Sequence, residues 1–316
     1  MSGVLVTGAR GFAGGYLANL LAGSGVAVTG WMRPAVASRK ADPFFDPSIQ
    51  WRDVDLLDRS SVAAAVAELR PDSVYHCAGA AHVGESFTDV RDTLAANALG
   101  THHLLEGLRL ADLTARVLVT GSSLVYRPSN HALKEDDPTV PATPYGLSKL
   151  AQEILGHRAI HEDRQQVILT RSFNHTGPRQ DPSYAAPGFA RQIALIEHGR
   201  IPPEIVVGNL DASRDLHDVR DTVRAYRSIL ERGEPGRCYN VCSGQAVEIR
   251  AVLDTLVAMS RVPVTVRVDP SRYRPNDNPI LLGDRSRIGR ELGWEPSITL
   301  DQTLSDLLDF WRKKVE

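Results

Sequence analysis

The feature that most restricts the fold of this chain is a glycine-rich turn near its beginning. Residues 8–15 read GARGFAGG, after a short apolar segment, VLVT, and before residues whose apolar side chains recur at helical spacing. Gly8, Gly11 and Gly14 occupy every third position, which predicts a strand, a tight turn and a helix. Such a turn lets the backbone approach a pyrophosphate, and the helix directs free N–H groups at the anion. We predict a dinucleotide site here; the alternative is a purely structural role for the three glycines.

Strands and helices alternate through the first half of the sequence. Apolar runs predict strands at 4–7, 26–31, 49–54, 73–77, 115–120 and 167–170, and helical spacing predicts helices at 16–21, 59–69, 90–110 and 144–161. This alternation is typical of an α/β fold with a doubly wound parallel sheet of the Rossmann type.

The second half has shorter apolar segments and more proline and glycine, first over residues 176–188. We predict a Rossmann domain at 1–175, completed by parts of 215–260, and a smaller, mostly substrate-binding domain at 176–316. Helices at 218–232 and 247–260 are expected to return to the first domain. A strand is expected at 264–268 and an amphipathic helix at 300–314.

Composition excludes several classes of partner. The 36 basic and 38 acidic residues give a formal charge of −2, without the basic excess of a nucleic-acid-binding protein. No apolar run approaches the roughly 18 residues of a membrane-spanning helix, and no signal-peptide pattern begins the sequence. Cys77, Cys238 and Cys242 lack the spacing of metal ligands. They predict free thiols, no metal site and a cytoplasmic location.

The end of the second predicted strand indicates which dinucleotide binds. An acidic residue there would bind the ribose of NAD, whereas an arginine accommodates the additional phosphate of NADP. The segment reads TGWMR and ends at Arg33, with no acidic residue, and Arg10 in the glycine turn is a second candidate. This favours NADP(H) over NAD(H). Asp55 and Leu56 are candidates for the adenine side, although a cap before the next helix explains them almost as well.

A serine, a tyrosine and a lysine form the candidate catalytic set. Tyr145 and Lys149 lie four apart on a predicted helix and therefore share a face. An ammonium beside a phenol stabilises the phenolate and lowers the pKa of the tyrosine, which suits acid–base work. Ser122 ends the fifth predicted strand and is positioned to hydrogen bond to the substrate oxygen; a capping serine is the alternative.

Taken together, these pieces resemble the extended short-chain dehydrogenase/reductase family along the whole chain. Further matching segments are HCAGAA at 76–81 and NALGT at 97–101. The resemblance implies a nicotinamide cofactor at the carboxyl edge of the sheet, with the Tyr145 hydroxyl facing the reacting group. It also implies a homodimer through the helices at 90–110 and 144–161. The additional cofactor-binding residues it implies are Phe12, Ala78, Ala80, Asn97 and Lys149.

Four later stretches narrow this resemblance. They read RSFNHTGPRQ at 171–180, VGNLDASRD at 207–215, YNVCSG at 239–244 and DPSRYRP at 269–275. They are similar to segments of GDP-mannose 4,6-dehydratases and GDP-6-deoxy-4-keto-mannose reductases, which implies a nucleotide-sugar substrate. Arginine forks suit a sugar diphosphate. The implied substrate-binding residues are Ser123, Asn174, Arg191, Asn209, Arg214 and Arg274.

One position separates the two activities. Dehydratases that resemble this chain carry a glutamate two residues after the catalytic serine or threonine, because eliminating water requires a carboxyl group that moves a proton. Here that position is Leu124. We therefore predict an NADPH-dependent reduction of the C4 ketone of GDP-4-keto-6-deoxy-D-mannose, with GDP-D-rhamnose or its C4 epimer, GDP-6-deoxytalose, as the product.

Three alternatives stay open. A GDP-mannose 4,6-dehydratase could take its carboxyl group from elsewhere, for example from Glu85. A nucleotide-sugar epimerase needs only the serine, tyrosine, lysine and a bound cofactor. A non-catalytic NADP-sensing protein could share the fold, although it would have no use for the proton-donating set.

Overall fold

A computed structural model describes residues 3–34, 42–273 and 278–316. The strands are β1 Val4–Thr7, β2 Val28–Met32, β3 Gln50–Asp53, β4 Ser73–His76, β5 Arg116–Ser122, β6 Gln166–Ser172, β7 Asn174–Thr176, β8 Glu204–Val207, β9 Ser213–Asp218, β10 Cys238–Val241, β11 Ala246–Glu248, β12 Thr265–Val268 and β13 Ile280–Leu281. The α-helices are α1 Phe12–Ala22, α2 Arg59–Leu69, α3 Val90–Leu94, α4 Gly100–Leu110, α5 Pro144–Asp163, α6 Ala185–Glu197, α7 Val219–Arg232, α8 Ile249–Ala258, α9 Ser286–Leu292 and α10 Leu300–Val315.

Seven strands form one parallel sheet in the order β10-β6-β5-β4-β1-β2-β3. The strand order reverses between β1 and β4, and ligands of such sheets bind in the crevice that this reversal opens at the carboxyl ends. The α/β fold with a doubly wound parallel sheet is therefore confirmed, as is the strand–turn–helix that contains the glycine turn.

Apolar layers cover both faces of this sheet. Leu5 packs in a layer with α2 and α4, whereas the next residue, Val6, packs in a layer with α1 and α7. Successive side chains of a strand point to opposite faces, so a strand buried on both sides must be apolar throughout, as VLVT nearly is. The burial of β1 between two layers thus follows from its apolar sequence.

The predicted helix at 90–110 is interrupted. Between α3 and α4 the backbone forms a π-helical turn, Ala95–Leu99. Asn97 lies in this turn and is fully buried. Its amide accepts a hydrogen bond from the Ala80 N–H at 2.9 Å and donates one to the Ala80 carbonyl at 3.1 Å. A π turn inserts an additional residue and often occurs at functional sites. Helical periodicity alone did not reveal it.

A second group of elements lies beside the sheet. Helices α6, α8 and α10 share an apolar cluster with β8, which pairs with β12. A separate small sheet contains β7, β9, β11 and β13. The return of α7 to the seven-stranded sheet is confirmed, and β10 joins that sheet.

The prediction that residues 247–260 return as well is wrong, because α8 packs against α6 and α10. Its apolar face showed that the helix is buried, but not against which partner. The domain boundaries stay a prediction.

No helix within the described ranges is long and apolar enough to cross a membrane. Cys77, Cys238 and Cys242 are free thiols. Within the same ranges, no group of three or more His, Cys, Asp or Glu residues could hold a metal ion.

Candidate active site between two cavities

A cavity of about 280 Å³ opens at the carboxyl ends of β1, β2 and β4. It occupies the crevice where the strand order reverses, which is the usual ligand position in this type of sheet. Its lining residues are Thr7, Gly8, Arg10, Gly11, Trp31, Met32, Arg33, Val54, Asp55, Leu56, Leu57, Cys77, Ala78, Gly79 and Ala96.

The glycine turn beside this cavity requires glycine at two positions, because a Cβ there would collide with nearby backbone. Gly8 has φ +65°, and a Cβ on it would lie 2.7 Å from the Ala78 Cα. A Cβ on Gly14 would lie 2.3 Å from the Gly8 carbonyl oxygen, so α1 could not approach the turn. No side chain caps α1 at Gly11. The first N–H groups of the helix therefore lack a side-chain partner, which is the arrangement that binds phosphate.

Two arginines border the same cavity. The Arg10 guanidinium stacks over the Trp51 ring at 5.1 Å and lies 5.4 Å from the Phe45 ring. Such contacts hold a cation in one orientation before a ligand arrives. Arg33 is exposed just after β2. The cavity therefore offers two positive groups, Arg10 and Arg33, and the end of β2 carries no acidic residue, although Asp55 also lines the cavity.

The three candidate catalytic residues come together on β5 and α5. Ser122 ends β5, and Tyr145 lies in the first turn of α5. The helix starts there because the Thr143 side chain accepts a hydrogen bond from the Gly146 N–H and Pro144 occupies the first turn. Burial raises the pKa of Tyr145, and a hydrogen bond with Ser122 partly offsets that rise; the lowering expected from Lys149 is therefore wrong for this structure, because burial outweighs it.

Lys149 lies one turn further along α5 and is 6% exposed. Its Nζ donates to the Thr120 carbonyl at 3.0 Å and to Gln152 Oε1 at 2.8 Å, and it lies 6.0 Å from the centre of the Tyr145 ring. Burial lowers the pKa of Lys149 to about 8. The Lys149 side chain is thus held beside the Tyr145 phenol, and at neutral pH its charged form is favoured over the neutral form by a small margin.

A second cavity, also of about 280 Å³, shares no lining residue with the first. Its walls come from the N-terminal end of α6, from β8 and from the loops around β9 and β12. The lining residues are Asn174, Pro182, Ser183, Tyr184, Ala185, Gly188, Phe189, Gln192, Val206, Val207, Gly208, Asn209, Ala212, Arg214, Ile249 and Arg272.

The catalytic set connects the two cavities. A Cβ on Gly79, which lines the first cavity, would lie 3.6 Å from Lys149 Nζ. Tyr184, which lines the second cavity, adds to the rise that burial causes in the pKa of Tyr145, because two neighbouring phenols disfavour a second negative charge. A ligand in each cavity could therefore meet the other at Tyr145.

Two polar contacts are made by Ser183 and Tyr184, which line the second cavity. The Tyr184 hydroxyl donates to the Ala81 carbonyl at 2.9 Å, and His82 Nε2 lies 2.5 Å from Ser183 Oγ. These contacts join the loop after β4 to the segment that precedes α6.

The structure assigns the other predicted site residues to different positions. Among the cofactor candidates, Gly14, Ala80 and Asn97 are not lining residues of the first cavity. Phe12 is not one either, and it stacks on His175 with ring centres 5.9 Å apart. Asn174, Asn209 and Arg214 line the second cavity.

Ser123 and Arg191 do not line it. Ser123 is 3% exposed in the turn after β5, and Arg191 lies on the exposed side of α6 with its guanidinium 6.0 Å from the Trp311 ring. Arg274 lies outside the described residues. The sequence analysis missed four polar residues of this cavity, namely Ser183, Tyr184, Gln192 and Arg272. Arg272 falls within the stretch already quoted at 269–275, but the resemblance pointed to its neighbour.

Comparisons with known proteins agree with this geometry. The family model described as GDP-mannose 4,6 dehydratase matches residues 5–307. The chain is 35% identical over 315 residues to a GDP-6-deoxy-D-mannose reductase of Pseudomonas aeruginosa, covering 99% of this chain and 98% of that protein. It is 29% identical over 346 residues to a GDP-mannose 4,6-dehydratase of Vibrio cholerae, covering 96% and 92%. The solved structure of RMD from Pseudomonas aeruginosa complexed with NADPH superposes with a TM-score of 0.86 at 33% identity, covering 99% of this chain and 100% of that one.

Proposed function

The chain belongs to the GDP-mannose 4,6-dehydratase family, and from that membership we propose that it reduces the C4 ketone of GDP-4-keto-6-deoxy-D-mannose with NADPH. The product is GDP-D-rhamnose or its C4 epimer. The observation that carries this proposal is Leu124, which stands where a dehydratase of this type needs a carboxyl group, beside an intact Ser122, Tyr145 and Lys149. The similarity to a reductase along nearly the whole chain supports it.

The first cavity fits NADP(H). The glycine turn at Gly8 and Gly11 lines this cavity, and its backbone positions at Gly8 and Gly14 have no space for a Cβ. Arg10 and Arg33 border the cavity, where a 2′-phosphate needs a positive partner. The superposition on a relative that holds NADPH supports the same choice. When bound, NADPH supplies the hydride for the reduction.

The second cavity fits a nucleotide sugar. Arg214 and Arg272 line it together with the N-terminal end of α6, and both features attract a diphosphate. Asn174 and Asn209 add amide groups that can hydrogen bond to a sugar or a base.

The reacting ketone meets Ser122 and Tyr145 between the cavities. Because burial keeps the pKa of Tyr145 above its ordinary value, the phenol is protonated at neutral pH and can act as an acid. Negative charge develops on O4 as the carbon is reduced, and hydroxyl donors held in place stabilise that charge. Ser122 donates to O4 and orients it, Tyr145 Oη transfers its proton to O4, and the Lys149 ammonium lies 6.0 Å from the centre of the ring that then carries the phenolate.

The runner-up is the dehydratase, which the family model and the Vibrio cholerae relative favour. Three observations weigh against it. Leu124 packs against the apolar cluster around Phe173. Glu85 is exposed and lines neither cavity. Among the described residues, the groups that shift the pKa of Tyr145 are Ser122 and Tyr184, neither of which is a carboxyl group.

A single assay separates these activities. The purified protein is mixed with NADPH and GDP-4-keto-6-deoxy-D-mannose, and the nicotinamide absorbance is followed; a parallel reaction contains GDP-mannose and NADP⁺, the oxidant that a dehydratase needs. The reductase consumes NADPH with the keto sugar alone, and NMR of the product assigns C4. Formation of a keto sugar from GDP-mannose without net consumption of NADPH would establish the dehydratase instead.

We further propose a homodimer formed through α4, α5 and the π turn. Leu99, Leu147 and Ile154 are 51%, 49% and 59% exposed on these elements, which is unusual for large apolar side chains on neighbouring helices. In sedimentation experiments Ile154→Asp should yield monomers, whereas Val266→Asp, at an exposed apolar residue of β12, should leave the dimer intact. Equal sedimentation of wild type and Ile154→Asp would refute this interface.

We also propose a cytoplasmic location, which the three free thiols support. Burial raises the pKa of Cys77 and Cys238 to about 12, so both stay protonated and unreactive. Fractionation of the producing cells tests this location.

A further inference from the structure

A buried chain of hydrogen bonds begins at Lys149 and continues through residues to which the reaction described above gives no role. Gln152, one turn further along α5, is fully buried, and its Oε1 accepts a hydrogen bond from Lys149 Nζ at 2.8 Å. Its Nε2 donates to Thr101 Oγ1 at 2.8 Å. His76 Nε2 lies 2.9 Å from the same Thr101 oxygen, and His76 Nδ1 lies 2.8 Å from Thr7 Oγ1.

The direction of each hydrogen bond follows from the number of protons available. The Thr101 hydroxyl donates its proton to the Asn97 carbonyl at 2.6 Å, so its oxygen must accept from both Gln152 and His76. His76 therefore carries its proton on Nε2, and Nδ1 accepts from the Thr7 hydroxyl.

This assignment requires a neutral His76. Burial and the nearby Lys149 charge lower the pKa of His76 to about 3, which keeps the ring neutral at any working pH. The Gln152 amide thus has one allowed orientation: its NH₂ group faces Thr101 and its oxygen faces Lys149.

The ammonium of Lys149 is held from two sides. Of its three N–H groups, one donates to the Thr120 carbonyl and one to Gln152. The third has no protein partner among the described residues. Lys149 Nζ lies near Gly79 on the wall of the first cavity. Without Gln152, a buried ammonium would keep a single acceptor from the protein, and burying a charge is costly unless it is hydrogen bonded.

We propose that Gln152 is a positioning residue, which keeps Lys149 charged and directs its remaining N–H toward the first cavity, with Thr101 and His76 fixing the amide. Because Lys149 matters to the reaction only if the ketone is reduced as described, this role rests on the proposed function. The same chain ends at Thr7, which lines the first cavity and accepts a hydrogen bond from the Ala78 N–H at 3.3 Å.

Within the described ranges, few other titratable groups act on this ammonium. Cys77, after β4, favours the charged form and is itself neutral, since burial raises its pKa to about 12. His76 on β4 is neutral, and Tyr145 on α5 carries its proton. From β5 and α4 the nearby groups are the uncharged Thr120 carbonyl and Thr101. Glu153, the next residue on α5, is bound by Arg171 at 2.5 Å and 3.0 Å. A change at residue 152 should therefore act on Lys149 directly.

Two variants of nearly the same shape test this role with opposite signs. The chain has only five lysines, so NMR of protein that contains ¹³C-labelled lysine resolves each of them, and Lys149→Arg identifies the signal. Gln152→Glu places an anion beside the ammonium and should raise the Lys149 midpoint by about one pH unit or more. Gln152→Met removes the acceptor and should lower the midpoint by about half a unit.

Kinetics provide the second readout. The alkaline limb of the kcat profile should move to higher pH in Gln152→Glu and to lower pH in Gln152→Met, with KM for the sugar within about 2-fold of wild type. Gln165→Met is the matched control, because Gln165 is also buried but donates to the Leu105 carbonyl. It should lower Tm and leave the Lys149 titration unchanged.

The outcomes distinguish this role from the proposed function. If both Gln152 variants fold and titrate within about 0.2 pH units of wild type, Gln152 is merely a core residue and the proposal fails. If either fails to fold, Thr101→Val and Thr101→Ser replace them. The first should lower the Lys149 midpoint and the second should restore it, and equal midpoints would again overturn the proposal. Since the NMR titration needs no substrate, an inactive wild type would refute the reductase alone.

Discussion

The two cavities of this chain have similar volumes but are built differently. Gly8 and Gly11 of the glycine turn are part of the lining of the first one, and Gly14 lets α1 pack so closely on this turn that a Cβ would collide with backbone. The second cavity is lined mainly by side chains from segments far apart in sequence, such as Asn174, Asn209 and Arg272. A site made of backbone has little freedom to change its ligand, whereas a site made of side chains can change specificity by substitution. We therefore expect mutations to affect the binding of the two ligands separately, and a change at Tyr145 to affect neither.

The largest effect is expected at the point where the cavities meet. Tyr145→Phe removes the proton donor and should lower kcat about 1,000-fold, while the Kd values for NADPH and GDP stay within about 2-fold. Steady-state kinetics and fluorescence titration measure both. Tyr226→Phe is the matched control, because Tyr226 is also buried but its hydroxyl contacts Ser172. If Tyr145→Phe kept more than about a tenth of the activity, another group would have to supply the proton.

The next largest effect should be confined to the first cavity. Gly14→Ala forces a methyl group against the Gly8 carbonyl, which lies 2.3 Å from the added Cβ. Because that contact is with backbone, the turn must move, and the Kd for NADPH should rise about 10- to 100-fold with GDP binding unchanged. Gly3→Ala, with no atom within 4 Å of the added Cβ, is the control. Equal weakening of both ligands would mean that the two cavities are not independent.

The corresponding change in the second cavity is Arg214→Ala. Loss of a charged hydrogen-bond donor should raise KM for the nucleotide sugar about 10- to 30-fold and leave NADPH binding unchanged. Arg191→Ala is the matched control, since Arg191 points away from the cavity toward Trp311, and should change KM by less than about 2-fold. A larger effect of Arg191→Ala than of Arg214→Ala would favour the residue chosen from the sequence over the one that lines the cavity.

The smallest effect concerns the choice between the two dinucleotides. Arg33→Ala should weaken NADPH about 10-fold and leave NADH nearly unchanged, because only NADPH carries the phosphate. The ratio of the two kcat/KM values is the measurement, and NADH serves as the internal control. If the ratio stayed at its wild-type value, Arg10 alone would have to recognise the phosphate.

The contrast between the two cavities also explains which site residues the sequence predicted. Gly8, Gly11, Tyr145 and Lys149 were found because their geometry is local: a turn and one helical repeat determine it. The second cavity is assembled from β8, α6 and three loops, so no single spacing describes it. The resemblance supplied Asn174, Asn209 and Arg214, but it also suggested Arg191, since a helical repeat does not reveal which face is covered by a distant segment such as α10.

Two features of the catalytic set were not recognised either. The π turn that buries Asn97 leaves the apolar pattern of residues 90–110 almost intact, so it appeared as one helix. Gln152 looked like an ordinary polar helix residue. Its burial depends on contacts with Thr101 and Lys149 that exist only after the sheet and both helices have packed.

The most direct test of the reductase is to follow the hydrogen itself. NADPH that carries deuterium at the transferred position is incubated with GDP-4-keto-6-deoxy-D-mannose, and the sugar is analysed by NMR. We expect a single deuterium at C4 of the product, in proportion to the NADPH consumed. The contradicting result would be conversion of GDP-mannose to the keto sugar, with hydrogen moved from C4 to C6 within the sugar and no net consumption of NADPH. That result would mean that Leu124 does not prevent elimination and that the protein is a dehydratase.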